Sequence, residues 1–248
     1  MIRTYLLLLS LVVLIISCTS HPTADQIIDR AIDRAGGSQY NHRKISFEFR
    51  GKTYISCRED GLFYLKRITD DSIYVVDILS NNGFKRIVDG QQVVLADTTM
   101  ASYANSVNSV HYFAYLPYGL ISEAVNKELL GEVMIKNKPY YKIKVWFNEQ
   151  GGGEDYEDIF VYWIEKENYQ MDYLAYKFHV NGGGMRFREA YNKREIGGIT
   201  FVDYNNFKPK DNTVSLFDLD SLFKQNNLAL LSTIELENLR VEKVDCTF

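Results

Sequence analysis

The sequence predicts a mainly β protein of the α+β class. We expect a single curved antiparallel sheet that forms a half-open barrel, covered by an N-terminal helix and one or two short helices. Apolar segments of strand length recur between glycine-bearing or charged breaks, which is typical of strands that fold back directly on one another. The chain also holds 18 tyrosines and 14 phenylalanines among 248 residues, and aromatic side chains favour strands.

The clearest series of strands lies between residues 140 and 207. Glycine clusters separate several of its members, at Gly151–Gly153, Gly182–Gly184 and Gly197–Gly198. Strands with such short breaks predict an antiparallel meander. The five predicted strands are Tyr140–Phe147, Ile159–Ile164, Asp172–Val180, Met185–Tyr191 and Ile199–Asn205.

A second meander is predicted upstream. Ile45, Phe47 and Phe49 alternate in its first strand, and Asn82-Gly83 and Asp89-Gly90 are dipeptides that favour tight hairpins. No linker rich in proline, glycine or serine separates the two meanders, so we expect one continuous sheet. Further strands are predicted near Leu62–Arg67, Ser72–Leu79, Phe84–Val88 and Gln91–Leu95.

Helical periodicity appears in three places. Thr23 and Gln26 match a capping box, and the helix that they begin has an apolar face that continues until Gly36-Gly37. A second helix is predicted between Thr99 and Phe113, and a short helix or loop over Leu216–Gln225.

The last predicted strand runs from Thr233 to Val244. Its apolar positions change phase after Leu236 and resume at Leu239. Because a phase change in a strand is typical of an extra residue, we expect a bulge near Asn238.

The N-terminus has the pattern of an export signal. Arg3 supplies a short basic region, and an apolar run follows from Leu6 to Ile16. This run is long enough for a signal peptide and too short to span a bilayer as a helix. It ends in Ile15-Ile16-Ser17-Cys18, which resembles the bacterial lipobox. We therefore expect a signal peptide over residues 1–17, an acylated N-terminus and tether over 18–22, and one β-rich domain over 23–248.

The lipobox resemblance implies that Cys18 carries acyl chains such as palmitate. Each buried CH₂ contributes about 0.8 kcal/mol, so two or more chains hold a protein firmly on a membrane. Thr19, rather than an aspartate, follows Cys18. By resemblance to lipoprotein sorting signals, this favours the outer membrane, and we expect the protein to face the periplasm.

Two further cysteines, Cys57 and Cys246, remain in the mature chain. An oxidising periplasm would let them pair if strands bring them together. The expectation from sequence is two separate buried thiols.

Charge and motifs exclude several classes of function. The net charge is −4 with acids and bases interspersed, whereas a nucleic-acid partner requires a basic stripe. No G-x-S-x-G, P-loop, H-E-x-x-H or C-x-x-C motif is present. The four histidines are widely scattered and are interpreted as ordinary surface or strand residues. We expect no catalytic residue, no metal and no cofactor.

A hydrophobic site is predicted on the aromatic strands. Both faces of Phe160–Ile164 are apolar, and such a strand needs cover on both sides. Helices can cover one face, and an acyl chain could cover part of the other inside a curved sheet. The alternative is that the protein's own side chains fill that space. The candidate ligand-binding residues are Trp146, Phe160, Tyr162, Trp163, Tyr176 and Phe178.

A polar candidate site combines an acidic loop with two arginines. Residues 151–158 place four acids before a strand, while Arg186 and Arg188 share one face of a later strand and Glu189 lies on the other. Clustered carboxylates suit Ca²⁺ or an acid–base pair. The structural alternative, which we expect, is a charged cross-strand ladder beside a solvated turn. The candidate residues are Asp155, Glu157, Asp158, Arg186, Arg188 and Glu189.

Several segments together resemble an uncharacterised family of bacterial lipoproteins. The resemblance covers most of the mature chain and is carried by Pro117-Tyr118, Tyr140-Tyr141-Lys142, Phe160–Ile164, Asp172–Tyr176, Gly182–Glu189 and Gly198–Tyr204. More distantly, a helix followed by hairpins and long strands is similar to the lipoprotein-localisation carriers and receptors. That resemblance implies a half-open antiparallel barrel that shelters acyl chains, and a shared fold does not establish function.

These observations leave hypotheses of different classes. The favoured one is a non-enzymatic envelope lipoprotein that binds a lipid, an acyl chain or another hydrophobic ligand in the concave face of its sheet. The alternatives are an envelope hydrolase that uses the polar candidate site and a scaffold that binds a partner protein.

Overall fold

The computed structural model describes residues 21–150, 156–179, 182–243 and 246. The predicted signal peptide, Cys18 and Asp155 lie outside these ranges. The strands are β1 Arg43–Phe49, β2 Lys52–Glu59, β3 Leu62–Asp70, β4 Tyr74–Ser80, β5 Gly83–Val88, β6 Gln91–Val93, β7 Val125–Ile135, β8 Lys138–Phe147, β9 Ile159–Glu165, β10 Met171–Phe178, β11 Gly184–Ile196, β12 Ile199–Pro209, β13 Leu228–Ile234 and β14 Glu237–Lys243. The α-helices are α1 Ala24–Ala35, α2 Asp97–Ala114 and α3 Leu219–Lys224, and short 3₁₀ turns cover Gly37–Tyr40, Tyr118–Ile121 and Leu216–Asp218.

The strands form two antiparallel sheets of seven strands each. The first has the order β14-β1-β2-β3-β4-β5-β6, and the second has the order β13-β12-β11-β10-β9-β8-β7. The predicted mainly β, antiparallel and half-open architecture is confirmed. The single continuous sheet is replaced by two, because α2 and the turn after it separate β6 from β7 along the chain.

The second point of division lies within the last predicted strand. Residues 228–234 pair with β12, whereas residues 237–243 pair with β1. Asn238 has a φ of +49°, and the β1–β14 register shifts between Ser46 and Glu48. The bulge predicted near Asn238 is therefore confirmed, and the strand around it divides between the two sheets.

Strand β7 has no counterpart among the predicted strands. It lies at the edge of the second sheet and alternates half-buried with exposed residues. Charged and polar residues occupy many of its positions, and Gly131 interrupts its register with β8. Because the adjacent Leu129 and Leu130 and the register shift at Gly131 interrupt the alternation, the strand has a weak periodic signal.

Helix α1 covers part of the second sheet. The predicted capping box is confirmed, because the Gln26 amide donates to Thr23 Oγ1 at 3.2 Å and the Thr23 amide donates to Gln26 Oε1 at 3.0 Å. Ile27, Ile28 and Ile32 are buried in the same core as Ile164 and Leu174. Each such side chain contributes roughly 1.5–3 kcal/mol when it leaves water.

The other face of the second sheet is covered by α3 and the 3₁₀ turn before it. Leu216 and Leu219 are buried against Trp163 and Phe187. Lys142 Nζ lies 2.8 Å from Asp220 Oδ1, and both side chains are largely buried. This segment therefore seals that face with the protein's own side chains.

Helix α2 packs on the first sheet, at β3, β4 and β5. A buried ionic cluster lies beneath it, in which Arg67 Nη2 and Arg86 Nε each lie 2.6 Å from an Asp77 oxygen. Arg67 Nη1 also donates to Ser106 Oγ of α2 at 2.7 Å. The cluster thereby connects the sheet to the helix.

The two sheets approach each other at the turn between β11 and β12. A Cβ on Gly197 would lie 2.6 Å from Val241 Cγ1 of β14, and the φ of Gly197 is +61°. Glycine satisfies both conditions because it has no side chain.

Cys57 and Cys246 form a disulfide with a Cα–Cα distance of 5.9 Å. The expectation of two separate thiols is therefore wrong. Strand pairing brings β2 beside β1 and β1 beside β14, so the end of the chain reaches Cys57 across the sheet. In the chain-entropy model, closing a loop of this length stabilises the fold by about 5 kcal/mol.

Candidate functional site

A cavity of about 980 Å³ lies between α2 and the inner face of the second sheet. Its floor comes from β8 to β13, one wall comes from α2, and Phe49 and Arg50 at the end of β1 close one side. Exposed residues of α2, such as Ser106 and Asn108, form part of its rim. The volume falls within the range of small-molecule sites in proteins.

Aromatic rings form a continuous floor. Phe160 lies 5.7 Å from Phe147 and 5.8 Å from Tyr176 between ring centroids. Tyr176 in turn lies 5.2 Å from Phe113 of α2 and 5.9 Å from Phe178. Such contacts are typical of offset and edge-to-face aromatic pairs, so the floor presents one connected apolar surface.

Helix α2 is connected to this floor by a tyrosine pair. The hydroxyls of Tyr112 and Tyr162 lie 2.6 Å apart. Burial raises the pKa of both phenols, so both are neutral hydroxyls at physiological pH. The pair lies at the boundary between the part of the sheet that α1 covers and the part that borders the cavity.

Arg188 is the unusual polar group of the cavity. Its side chain is buried, with 7% of the residue exposed, and Nη2 donates to the Tyr176 hydroxyl at 2.9 Å. The guanidinium carbon lies 4.0 Å from the ring centroid of Phe113. Nε and Nη1 have no hydrogen-bond partner within the described part of the chain. Burial lowers the pKa of Arg188, yet an arginine stays charged at physiological pH.

Two neighbours of Arg188 also have unused hydrogen-bonding atoms. The Tyr204 hydroxyl and Asn206 Oδ1 have no partner among the described residues. Asn206 lies directly opposite Arg188 in the β11–β12 register, and both Tyr204 and Asn206 border the cavity. The polar groups are thus concentrated on two adjacent strands.

The structure brings part of the predicted hydrophobic site together. Phe160, Tyr176 and Phe178 line the cavity, and Tyr162 is fully buried beneath α2. Trp163 is fully buried on the opposite face, against the ring of Phe187. Because successive side chains of a strand point to opposite faces, Trp163 cannot share a surface with Tyr162.

Trp146 does not line the cavity either. Its neighbour Phe147 does, and the alternation along β8 directs Trp146 to the other face. There its ring lies 4.7 Å from Lys144 Nζ.

The predicted polar site divides in the structure. Arg186, Arg188 and Asp158 line the cavity. Glu157 is exposed, and Asp155 is outside the described residues. Glu189 lies on the other face of β11, where it pairs with Lys136; this is the face that the alternation predicted for it.

No group of three metal-ligating side chains occurs within the described ranges. Asp158 Oδ1 instead lies 3.5 Å from His179 Nδ1.

Sequence reasoning missed the contribution of α2. Tyr112 and Phe113 border the cavity, and the helix also presents short polar side chains to it, including Ser102 and Ser109. A ladder of serine and asparagine on one face of the predicted helix was the available signal. Such a face is normally read as solvent-exposed.

Residues 3–236 match DUF6503, a family of unknown function. No curated protein sequence matches the chain. None of the helices in the described part of the chain is both long and apolar enough to span a membrane.

Several solved structures are similar to this chain. A LolA superfamily protein from Nitrosomonas europaea has 11% identity and a TM-score of 0.49, over 92% of this chain and 96% of that one. A domain from Vibrio parahaemolyticus, described as an outer membrane lipoprotein-sorting protein, has 9% identity and a TM-score of 0.46, over 88% and 93% of the two chains. A DUF1329 family protein from Desulfovibrio piger has 11% identity and a TM-score of 0.41, over 89% and 93%.

These identities and TM-scores are too low to carry a conclusion about a ligand or an activity. The predicted resemblance to an uncharacterised family is confirmed. Because the family match spans most of the chain, the protein belongs to DUF6503, a family of unknown function.

Proposed function

We propose that the protein is a non-enzymatic lipoprotein of the cell envelope that binds a hydrophobic ligand, such as a lipid or acyl chain, between α2 and the second sheet. One observation carries this proposal. The inner face of the second sheet borders a cavity of about 980 Å³ with an aromatic floor, although the opposite face of the same strands is fully packed.

An apolar surface that borders a cavity is costly to maintain. Apolar surface that stays in contact with water forfeits roughly 25 cal/mol for each Å², and folded interiors normally pack closely. Ligand sites are the usual exception, because they combine an apolar lining with a few placed polar groups. The cavity has this composition, because aromatic rings such as Phe147 and Phe178 line it and Arg188 supplies a buried polar group.

The location follows from the sequence expectations. The proposed signal peptide occupies residues 1–17, and Cys18 is the proposed site of acylation. A tether over residues 18–22 then leads to the β-rich domain, 23–248, at the periplasmic side of the outer membrane. The short tether places the cavity close to a source of lipid.

Uptake of N-phenyl-1-naphthylamine, a neutral fluorescent probe of apolar sites, tests the proposal. Protein that starts at Thr19 lacks the proposed acyl anchor and keeps every described element, since α1 begins at Ala24 with its capping residue Thr23. We expect saturable fluorescence enhancement at one probe per protein. Val202→Trp should reduce it at least tenfold, because Val202 borders the cavity.

Leu230→Trp is the matched control. Leu230 lies on the neighbouring strand β13 and is 60% exposed, so the new ring remains in solvent. Absence of saturable uptake by the unmodified protein, or equal loss in both variants, contradicts the proposal.

A further inference from the structure

We propose that the ligand is a long-chain amphiphile with an anionic headgroup, and that Arg188, Tyr204 and Asn206 bind this headgroup. This proposal rests on the proposed function and specifies the chemistry of the ligand. A fatty-acid carboxylate and a lysophospholipid phosphate share the required chemistry.

Arg188 is a buried cation that has no carboxylate partner among the described residues. Arg188 is 7% exposed, and its hydrogen-bond partner among the described residues is the Tyr176 hydroxyl, not a carboxylate. A buried charge is costly unless it is paired and hydrogen-bonded. The phenol of Tyr176 and the ring of Phe113 supply only partial compensation. An anion from the ligand would complete it.

Arg188 and Tyr204 have hydrogen-bond donors that are not used within the described part of the chain. Arg188 Nε and Nη1 and the Tyr204 hydroxyl can donate hydrogen bonds, and none of them has a partner among the described residues. Two of these three donor atoms belong to the guanidinium itself, and such a set suits the oxygens of a carboxylate or phosphate, because charge-assisted hydrogen bonds are the strong ones. Asn206 Oδ1, also without a partner, would accept from a hydroxyl of the headgroup or from water.

Tyr176 connects Arg188 to the aromatic floor of the cavity. The Tyr176 hydroxyl accepts from Arg188, and the ring of Tyr176 contacts Phe113, Phe160 and Phe178. A headgroup at Arg188 therefore places the first part of an alkyl chain directly on the aromatic surface. Head and tail would occupy one continuous site.

The charge of the lining agrees with this assignment. The charged residues described around the cavity are Arg50, Arg186, Arg188 and Asp158, so the lining has a net positive formal charge. Arg50 is exposed, and Arg186 Nη1 donates to the Met185 carbonyl at 2.8 Å. Asp158 lies near His179. Arg188 is the group of this set that is both buried and short of acceptors.

Binding of cis-parinaric acid and of its methyl ester provides the test. Both are fluorescent, and they differ in the charge of the head. At pH 8 we expect the unmodified protein to bind the acid at least tenfold more tightly than the ester. Arg188→Met should weaken binding of the acid about 10- to 100-fold, the effect of a hydrogen bond to a charged group, and change binding of the ester less than twofold.

Arg240→Met is the matched control. Arg240 is exposed on β14 and does not border the cavity, and we expect its replacement to change the acid-to-ester ratio less than threefold. Tyr204→Phe keeps the ring and removes one donor, so it should reduce the ratio about 3- to 10-fold. Competition by oleic acid and by oleoyl lysophosphatidic acid then distinguishes the carboxylate from the phosphate.

Equal affinity of the unmodified protein for acid and ester would overturn the headgroup assignment and leave the proposed function intact. This measurement needs no variant, so it decides the question even if Arg188→Met fails to fold. Binding of neither parinaric probe nor of N-phenyl-1-naphthylamine would instead contradict the proposed function itself.

Discussion

The two faces of the second sheet are built from the same strands, but one face is filled by side chains and the other borders a cavity. On one face, Val161 and Trp163 are fully buried beneath α3. On the other, Phe160 borders a cavity of about 980 Å³, although Tyr162 and Ile164 farther along the strand are buried beneath α1 and α2. The strand is equally apolar in both directions, so its own composition does not determine which face is filled.

The covering segments make the difference. The segment over the filled face presents Leu216, Leu219 and Phe223, and the Phe223 ring lies 4.8 Å from that of Phe187. Helix α2 presents Ser102, Ser106 and Ser109 to the cavity instead. Short polar side chains leave space, and the space is the candidate binding site. The cavity therefore depends on the side chains of the covering helix as much as on those of the sheet.

The largest expected effect compares phenylalanines from the two faces. Phe187→Ala should lower the free energy of unfolding by about 4 kcal/mol, because a fully buried ring leaves a closed void. Phe178→Ala should cost about 1 kcal/mol, since Phe178 is half-buried and borders space that already exists. Urea denaturation measures both, and equal costs would contradict the contrast between the faces.

The next prediction concerns the ionic cluster that connects α2 to the first sheet. Burial alone would raise the pKa of the Asp77 carboxyl, but hydrogen bonds from Arg86 and Arg67 outweigh it, and the pKa is lowered. Asp77→Ala should cost about 3 kcal/mol, because it leaves buried arginines without their acceptor.

Asp70→Ala is the control for this change. Asp70 is exposed at the end of β3, so its replacement should stay within about 0.5 kcal/mol of the unmodified protein. A cost for Asp77→Ala no larger than this would show that α2 is held by other contacts.

A smaller effect depends on pH. His111 of α2 is fully buried, not the surface or strand residue expected from sequence, and its Nε2 lies 3.1 Å from the Lys66 carbonyl. Burial lowers the pKa of His111 to about 3. The unfolded chain therefore binds a proton that the folded chain excludes as the pH falls below about 6.5, and stability decreases in that direction.

Between pH 7 and pH 5, this histidine should account for about 2 kcal/mol of lost stability. His111→Gln can keep the hydrogen bond to Lys66 without titrating, so it should lose correspondingly less over the same interval. Parallel pH profiles for the two proteins, measured by urea denaturation, would contradict the assignment.

The smallest effect concerns the tyrosine pair at the boundary of the cavity. Tyr112→Phe should cost about 1 kcal/mol, because it leaves the buried Tyr162 hydroxyl without its partner. The double variant Tyr112→Phe/Tyr162→Phe should recover most of this loss. Additive losses in a double-mutant cycle would mean that the two hydroxyls do not depend on each other.

Local patterns predicted several of the individual elements. The capping box at Thr23, the helix predicted between Thr99 and Phe113 and the bulge at Asn238 each depend on residues close in sequence, and the structure has all three. Long-range features were less accessible. The Cys57–Cys246 disulfide depends on how β14 pairs with β1, and the division into two sheets depends on where the chain changes partner.

The site was predictable in part. Alternation along a strand placed Arg186 with Arg188 and separated Glu189 from both. The same rule, applied to Tyr162 and Trp163, excludes a shared surface for these two rings. The sequence of β9 does not determine which of its faces borders the cavity. The serines of α2 leave space over one face, and the leucines near α3 fill the other.

A crystal structure of the protein with a brominated long-chain fatty acid would show where the chain and the head of the ligand bind. We expect an anomalous bromine peak between α2 and the aromatic floor, near Phe160 or Phe178, with the carboxylate in contact with Arg188. Bromine peaks confined to the outer surface, or to the face beneath α3, would contradict this expectation.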